Sequence, residues 1–167
     1  MADFIYIKSD LDQAMKMLSE LEGNKDKMRR RILSGVGVAV KGKVKKAYRG
    51  FFRRQTGTLY KSIKSRVTRN GKAVIVSPTA KKGDVKYGYV LAKGTTIKPK
   101  KHDFLSFNIG GKWIRAHSVT LPERDWVEGP AKKFLGGSEM KERLDVLVQR
   151  EITRAEKAAA KKGQNEK

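Results

Sequence analysis

The sequence predicts an α+β fold, with long N-terminal helices and a C-terminal helix packed on a small antiparallel sheet of hairpins. Three observations predict it. Apolar residues recur every four positions across residues 25–52 and every three or four across residues 138–157. Elsewhere they alternate on either side of two turns, at Asn70-Gly71 and Gly110-Gly111. A period near 3.6 marks a helix with one buried face, and a period of 2 marks a half-buried strand.

Residues 4–8 (Phe-Ile-Tyr-Ile-Lys) read as a short strand. Ser9 or Asp10 can then cap a helix whose stripe is Leu11, Met15 and Leu18, with Gly23-Asn24 as its stop. A second, longer helix spans about Lys25 to Phe52. Its stripe is Met28, Ile32, Val36, Val40, Val44 and Tyr48. Val36, Val38 and Val40 also alternate as in a strand, and Gly35, Gly37 and Gly42 each cost roughly 1 kcal/mol in a helix. The four-residue period outruns the alternation, so helix is the better reading, with the glycines as points of close packing.

Ile63, Ser65 and Val67 alternate, Asn70-Gly71 signals a type I′ turn, and residues 73–76 return. Residues 77–103 read as loop-rich. Residues 104–109 and 112–121 form a second hairpin, with Leu105, Phe107 and Ile109 on one face. Residues 129–137 read as a Gly-rich link, and the last helix runs over residues 138–157. The expected organisation is a strand/helix arm (1–24), a single α+β domain (25–157) and a polar tail (158–167).

An apolar fraction of 38% against 34% charged residues implies a modest core. The absence of cysteine excludes disulfides, thiolate metal sites and cysteine nucleophiles. No apolar run approaches the ~18 residues that span a bilayer. Asp3, Asp10 and Asp12, without an apolar run, do not read as a signal peptide. The expectation is a protein with no membrane role, made in the cytosol.

The net charge of +22 points to polyanions or acidic protein surfaces. Its distribution is uneven: residues 27–83 hold eighteen Lys/Arg and no Asp or Glu. That stretch must find its counter-charge elsewhere in the chain, in another subunit, in nucleic acid or in solution. Arg29, Arg30, Arg31, Arg53 and Arg54 are its candidates for docking on an acidic surface or facing DNA.

Motifs for chemistry are weak. Residues 37–44 nearly spell a phosphate-binding loop, but Val44 stands where the Mg²⁺-binding hydroxyl belongs, and the segment lies inside a predicted helix. His102 and His117 lack partners at metal-ligand spacing. Glu123, Asp125 and Glu128 gather around Arg124 and Trp126 without a His or phosphate loop beside them, so ion pairing explains them better than catalysis. Tyr48-Arg49-Gly50-Phe51-Phe52-Arg53-Arg54 and Tyr60-Lys61 interleave rings with cations, a pattern that can bind nucleic acid. The helical spacing of the rings favours core packing instead. No cofactor or metal is expected.

The order of short motifs resembles the tail-component family of tailed bacteriophages, associated with tail completion at the neck. Thr56-Gly57-Thr58-Leu59 followed by Ser62-Ile63 matches its TGxLxxSI element, at the end of a long basic helix. Tyr87 to Gly94-Thr95 matches its Tyr-rich turn ending in Gly-Thr. Pro122-Glu-Arg124-Asp-Trp126, then Gly129-Pro130-Ala131, matches its Pro-x-Arg-x-aromatic element and helix start. The chain departs from the pattern at Ala92-Lys93 and at Asp125. The resemblance spans roughly residues 25–157. It implies a non-enzymatic virion protein, assembled in the bacterial host cytoplasm into a homo-oligomeric ring, commonly a hexamer. That ring would join head connector to tail, against neck, connector, tail-terminator or tail-tube proteins and in transient contact with packaged DNA. The interface residues it implies are Thr56, Gly57, Leu59, Ser62, Gly94, Thr95, Pro122, Arg124 and Trp126. The alternative reading, from charge alone, is a non-specific nucleic-acid-binding protein.

Overall fold

The computed structural model describes residues 5–7, 25–52, 57–80, 87–100 and 102–165. The predicted first strand is β1 (Ile5–Ile7); the helix expected near residues 9–22 lies outside the described residues.

The long helix forms as its spacing predicts. In α1 (Lys25–Phe51), Met28, Ile32, Val36, Val40, Val44 and Tyr48 are all buried. Fully burying one such aliphatic side chain contributes about 1.5–3 kcal/mol, so this row is the spine of the core. The strand reading of Val36–Val40 fails because its alternate member, Val38, faces solvent.

Two glycines show how α1 is packed. A Cβ on Gly37 would stand 2.5 Å from Val74 Cγ2, and one on Gly35 would stand 2.5 Å from Leu147 Cδ2. Residues two apart on a helix point about 200° apart, so the two glycines face opposite layers. One layer is the three-stranded sheet and the other is the C-terminal helices. Gly42 has open space around it, so the close-packing expectation does not extend to it.

The sheet has order β1-β3-β2, all antiparallel, with β2 (Ile63–Val67) and β3 (Val74–Pro78) as its hairpin. Ile63, Val74 and Val76 turn toward α1, while Lys64 and Arg66 turn to solvent. The turn differs from the type I′ expectation. Gly71 has φ +67 but Asn70 does not share a positive φ, and the Gly71 N–H donates to the Thr68 carbonyl (2.9 Å). A type I′ turn needs both central residues at positive φ; here the Thr68 hydroxyl and the Asn70 carboxamide hold a longer loop instead.

Segments read as irregular are partly ordered. The stretch 77–103 contains α3 (Tyr87–Lys93) and β4 (Thr95–Ile97), and the Gly-rich link contains α4 (Glu128–Leu135). In α4, Ala131 and Phe134 are buried against α1, so tertiary burial outweighs the helix penalty of Gly129. A short α2 (Thr58–Ser62) precedes β2. The second hairpin is shorter than expected: β5 (Leu105–Ile109) pairs with β6 (Lys112–Ala116), while β7 (Val119–Leu121) leaves to pair with β4. The last helix, α5 (Ser138–Asn165), continues through most of the expected polar tail. It packs Met140, Leu147 and Val148 into the core.

Candidate interaction surface

The three motif segments meet at one place. The Gly94 backbone (φ +67) lies so close to the β7 end that a Cβ would stand 2.7 Å from the Glu123 nitrogen and 2.8 Å from the Leu121 carbonyl oxygen. Only glycine fits both the backbone angle and the space. Thr95 then pairs with Leu121, and the Arg124 N–H donates to the Ala92 carbonyl (3.0 Å). On the other side, Gly88 packs on Leu59 and Pro78. The Ser62 hydroxyl caps back to the Leu59 carbonyl (2.7 Å), and Gly57 opens α2 with φ +79.

Trp126 closes this junction. It is 0% exposed, with Tyr48 edge-on at 5.2 Å and Phe52 edge-on at 6.1 Å between centroids. Tyr48 also packs on Phe52 at 4.7 Å, and burial, then Tyr87, raises its hydroxyl above the ordinary phenol pKa. The indole N–H meets no acceptor among the described residues, which costs about 1–3 kcal/mol and makes this a packing site before a polar one. Arg124 lies over the Phe52 ring at 5.2 Å. The sequence placed it among Glu123, Asp125 and Glu128; two of those acids are occupied otherwise. Asp125 accepts from the Gly129 N–H (2.7 Å), and Glu128 pairs with Lys93 (3.0 Å) and Lys132 (3.4 Å).

Of the residues the resemblance implies, then, Leu59 and Trp126 are core residues that join α1, α2, α3 and α4. Thr95 and Pro122 are exposed, Arg124 and Gly94 half-buried, and Thr56 lies outside the described residues. Of the three clustered acids, Asp125 and Glu128 are engaged in separate local contacts. Among the described residues no group of His, Asp and Glu could hold a metal ion.

The basic candidates are largely engaged within the chain. Arg29 pairs with Asp26 (3.0 Å), Arg31 with Glu151 (3.0 Å), and Arg30 donates to the Arg69 carbonyl across the Gly71 turn. Glu151 is itself 3% exposed and also takes Arg154, so it clamps α5 to α1. Lys43 finds Glu139 at the start of α5. The acid-free stretch therefore draws part of its counter-charge from the C-terminal helix. Arg53 and Arg54 lie outside the described residues.

The sequence reading missed the most exposed apolar feature. Among the described residues, the β5–β6 hairpin makes its extensive contacts only between its own strands. Its register sets Phe107 opposite Ile114 and Asn108 opposite Trp113. One face therefore carries Leu105, Phe107, Ile109, Ile114 and Ala116. The other face carries Trp113, 75% exposed, beside Arg115, which lies over the Phe104 ring at 4.8 Å. Gly110 and Gly111, at φ +60 and +88, form a two-residue tip, fixed by the Asn108 side chain accepting from the Gly111 N–H (2.9 Å). A signal was present: apolar residues occupy both faces of the hairpin, which a sheet with one solvated face does not need. Lys112 and Arg115 lie on the arm, and its sequence holds no acid between Phe104 and Ala116.

No family model, curated protein or solved structure matches this chain.

Proposed function

We propose that the chain is a structural subunit of a tailed-phage neck, joining head to tail as a homo-oligomeric ring and acting by packing rather than by chemistry. The observation that carries this reading is the β5–β6 arm. A lone two-stranded hairpin is marginal in water, and apolar side chains on both faces, rooted in an otherwise well-packed subunit, call for a neighbour. The motif order around Gly57, Gly94 and Trp126 supplies the family reading; in this chain those residues shape the root from which the arm projects.

The occupant that fits the arm is a second copy. The groove between α1 and α5 offers Ala39, Phe134 and the exposed Val146, with the Lys43–Glu139 pair, Glu142 and Arg143 beside them. An apolar arm entering an apolar groove on another copy is a head-to-tail contact, the kind that closes into rings. Connector and tail proteins would stack above and below, with the virion as the final location.

Native mass spectrometry of the purified protein tests this. Rings that fall to monomers on Trp113→Ser with Ile114→Ser, at unchanged melting temperature, support it. A wild-type protein that stays monomeric at about 100 μM, encoded away from portal, capsid and tail-tube genes, would overturn it. The same protein should hydrolyse neither ATP nor nucleic acid; metal-dependent turnover abolished by Glu123→Gln would also overturn it.

A further inference from the structure

Beside its buried row, α1 carries Lys41, Lys45 and Arg49 at four-residue spacing, the two lysines half-buried and Arg49 exposed, which places them on one row about 6 Å apart along the axis. Tyr60 from α2 lies against this row. Lys45 Nζ stands 4.4 Å and Arg49 Cζ 4.8 Å from the same ring centroid, and the Arg49 guanidinium donates to the Tyr60 hydroxyl (2.7 Å). No carboxylate forms an ion pair with any of the three cations among the described residues. The acids that answer the basic stretch go to Arg29, Arg31 and Lys43 and pass this row by.

We propose that Lys41, Lys45 and Arg49, the last two held by Tyr60, form a contact surface for the phosphodiester backbone of nucleic acid. Like charges at four-residue spacing repel along a helix, and here two of them also converge on one ring. An incoming polyanion relieves that repulsion. Lys45 and Arg49 are positioned in advance, so little of their side-chain freedom is lost on binding. With Lys45 and Arg49 both on Tyr60, that ring is not offered for base stacking, so the contact reads backbone and not sequence. A charge-dense row of this kind fits a nucleic-acid interface, which is strongly positive. It does not fit the centre of a protein–protein interface, which is depleted of lysine. The surface lies on a different element from the β5–β6 arm, and the proposal holds whether or not the chain stands in a virion neck.

Fluorescence anisotropy with a labelled 30-base-pair duplex, across a salt series, tests it. The triple variant K41Q/K45Q/R49Q is expected to bind at least tenfold more weakly. Its log-affinity against log-salt slope should flatten by about 2 to 3, at about 0.9 per phosphate contact. A control triple of equal charge, K133Q/K141Q/K157Q, should change affinity less than threefold and leave the slope. Equal losses from both triples would reduce the effect to net charge and overturn the surface, as would a wild-type protein that fails to bind the duplex at 50 mM salt. Tighter binding to polyglutamate than to duplex, lost in the first triple, would assign the row to an acidic protein and overturn the nucleic-acid proposal. A measurement independent of variant folding is acetylation of the wild-type protein. Bound duplex should protect Lys41 and Lys45 but not Lys133, and equal modification of all three would overturn the proposal.

Discussion

The two tryptophans mark opposite solutions to the same problem. Trp126 is fully buried where α1, α2, α3 and α4 meet, ringed by Tyr48 and Phe52. Trp113 is 75% exposed on a two-stranded arm that, among the described residues, packs extensively only on itself. Each stands two residues from an arginine, Arg124 and Arg115, and each of those lies over a phenylalanine. Local sequence is alike; what differs is the number of distant segments that arrive. Burial is thus a property of the junction and not of the residue type.

The sharpest way to break that comparison is to truncate both rings. Trp126→Ala should cost about 3–5 kcal/mol, which lowers the melting temperature by roughly 10 °C at about 2–4 °C per kcal/mol. Trp113→Ala should move the monomer's stability by no more than about 0.5 kcal/mol. Equal thermal shifts by differential scanning calorimetry would show that the arm is part of the core after all.

Two glycines of one helix sharpen it further. Gly37→Ala pushes a methyl into Val74 and should destabilise by about 1–3 kcal/mol. Gly42→Ala meets open space and should stabilise by roughly 0.5–1 kcal/mol. Urea midpoints moving in the same direction would contradict the layered packing of α1.

Smaller again is the Glu151 clamp. Its carboxylate is buried, yet Arg31 and Arg154 are about half exposed, so solvent screens the pair. Glu151→Gln should cost about 1–2 kcal/mol, short of the cost of breaking a fully buried pair. Unchanged stability in chemical denaturation would show that α5 is held by its apolar contacts alone.

The smallest effect is at Glu128. The Lys93 hydrogen bond, ahead of the charge of Lys93 and the contacts of Lys132, holds its carboxyl below the ordinary glutamate pKa. A lowered folded pKa adds stability that is complete above the unfolded value, near 4.3, and is lost as pH falls through the lower folded value. Glu128→Gln should therefore narrow the stability gap to wild type as pH drops from 6 toward 3. A gap that widens on acidification would reverse the assignment.

Much of the fold was legible because periodicity reports which face is buried. The α1 row from Met28 to Tyr48 and the Ile63–Val67 strand follow directly from it. Residues 77–103 and 129–137 were misread because glycine and proline there signal turns, whereas burial of Ala131 and Phe134 and the close approach at Gly94 come from distant segments. The same limit hid the fate of the candidate site. Nothing local distinguishes Leu59 or Trp126 as core from an interface residue, or shows that Glu151, 120 positions away, is waiting for Arg31. The spacing of Lys41, Lys45 and Arg49 was visible in the sequence; the ring that gathers two of them was not, since Tyr60 sits beyond the helix end.

The antiparallel register of β1 has a consequence in time. Ile5–Ile7 pairs with Val74–Val76, while the β2–β3 pairing that completes the sheet closes over a short loop. Hairpins form in about 1–10 μs, whereas joining distant segments must first meet the loop-closure cost. During synthesis β1 has no β3 partner until some seventy residues later, at about 5–20 residues per second. Chain order and assembly order run opposite ways at this edge of the sheet, and for several seconds β1 is open to any other strand that reaches it.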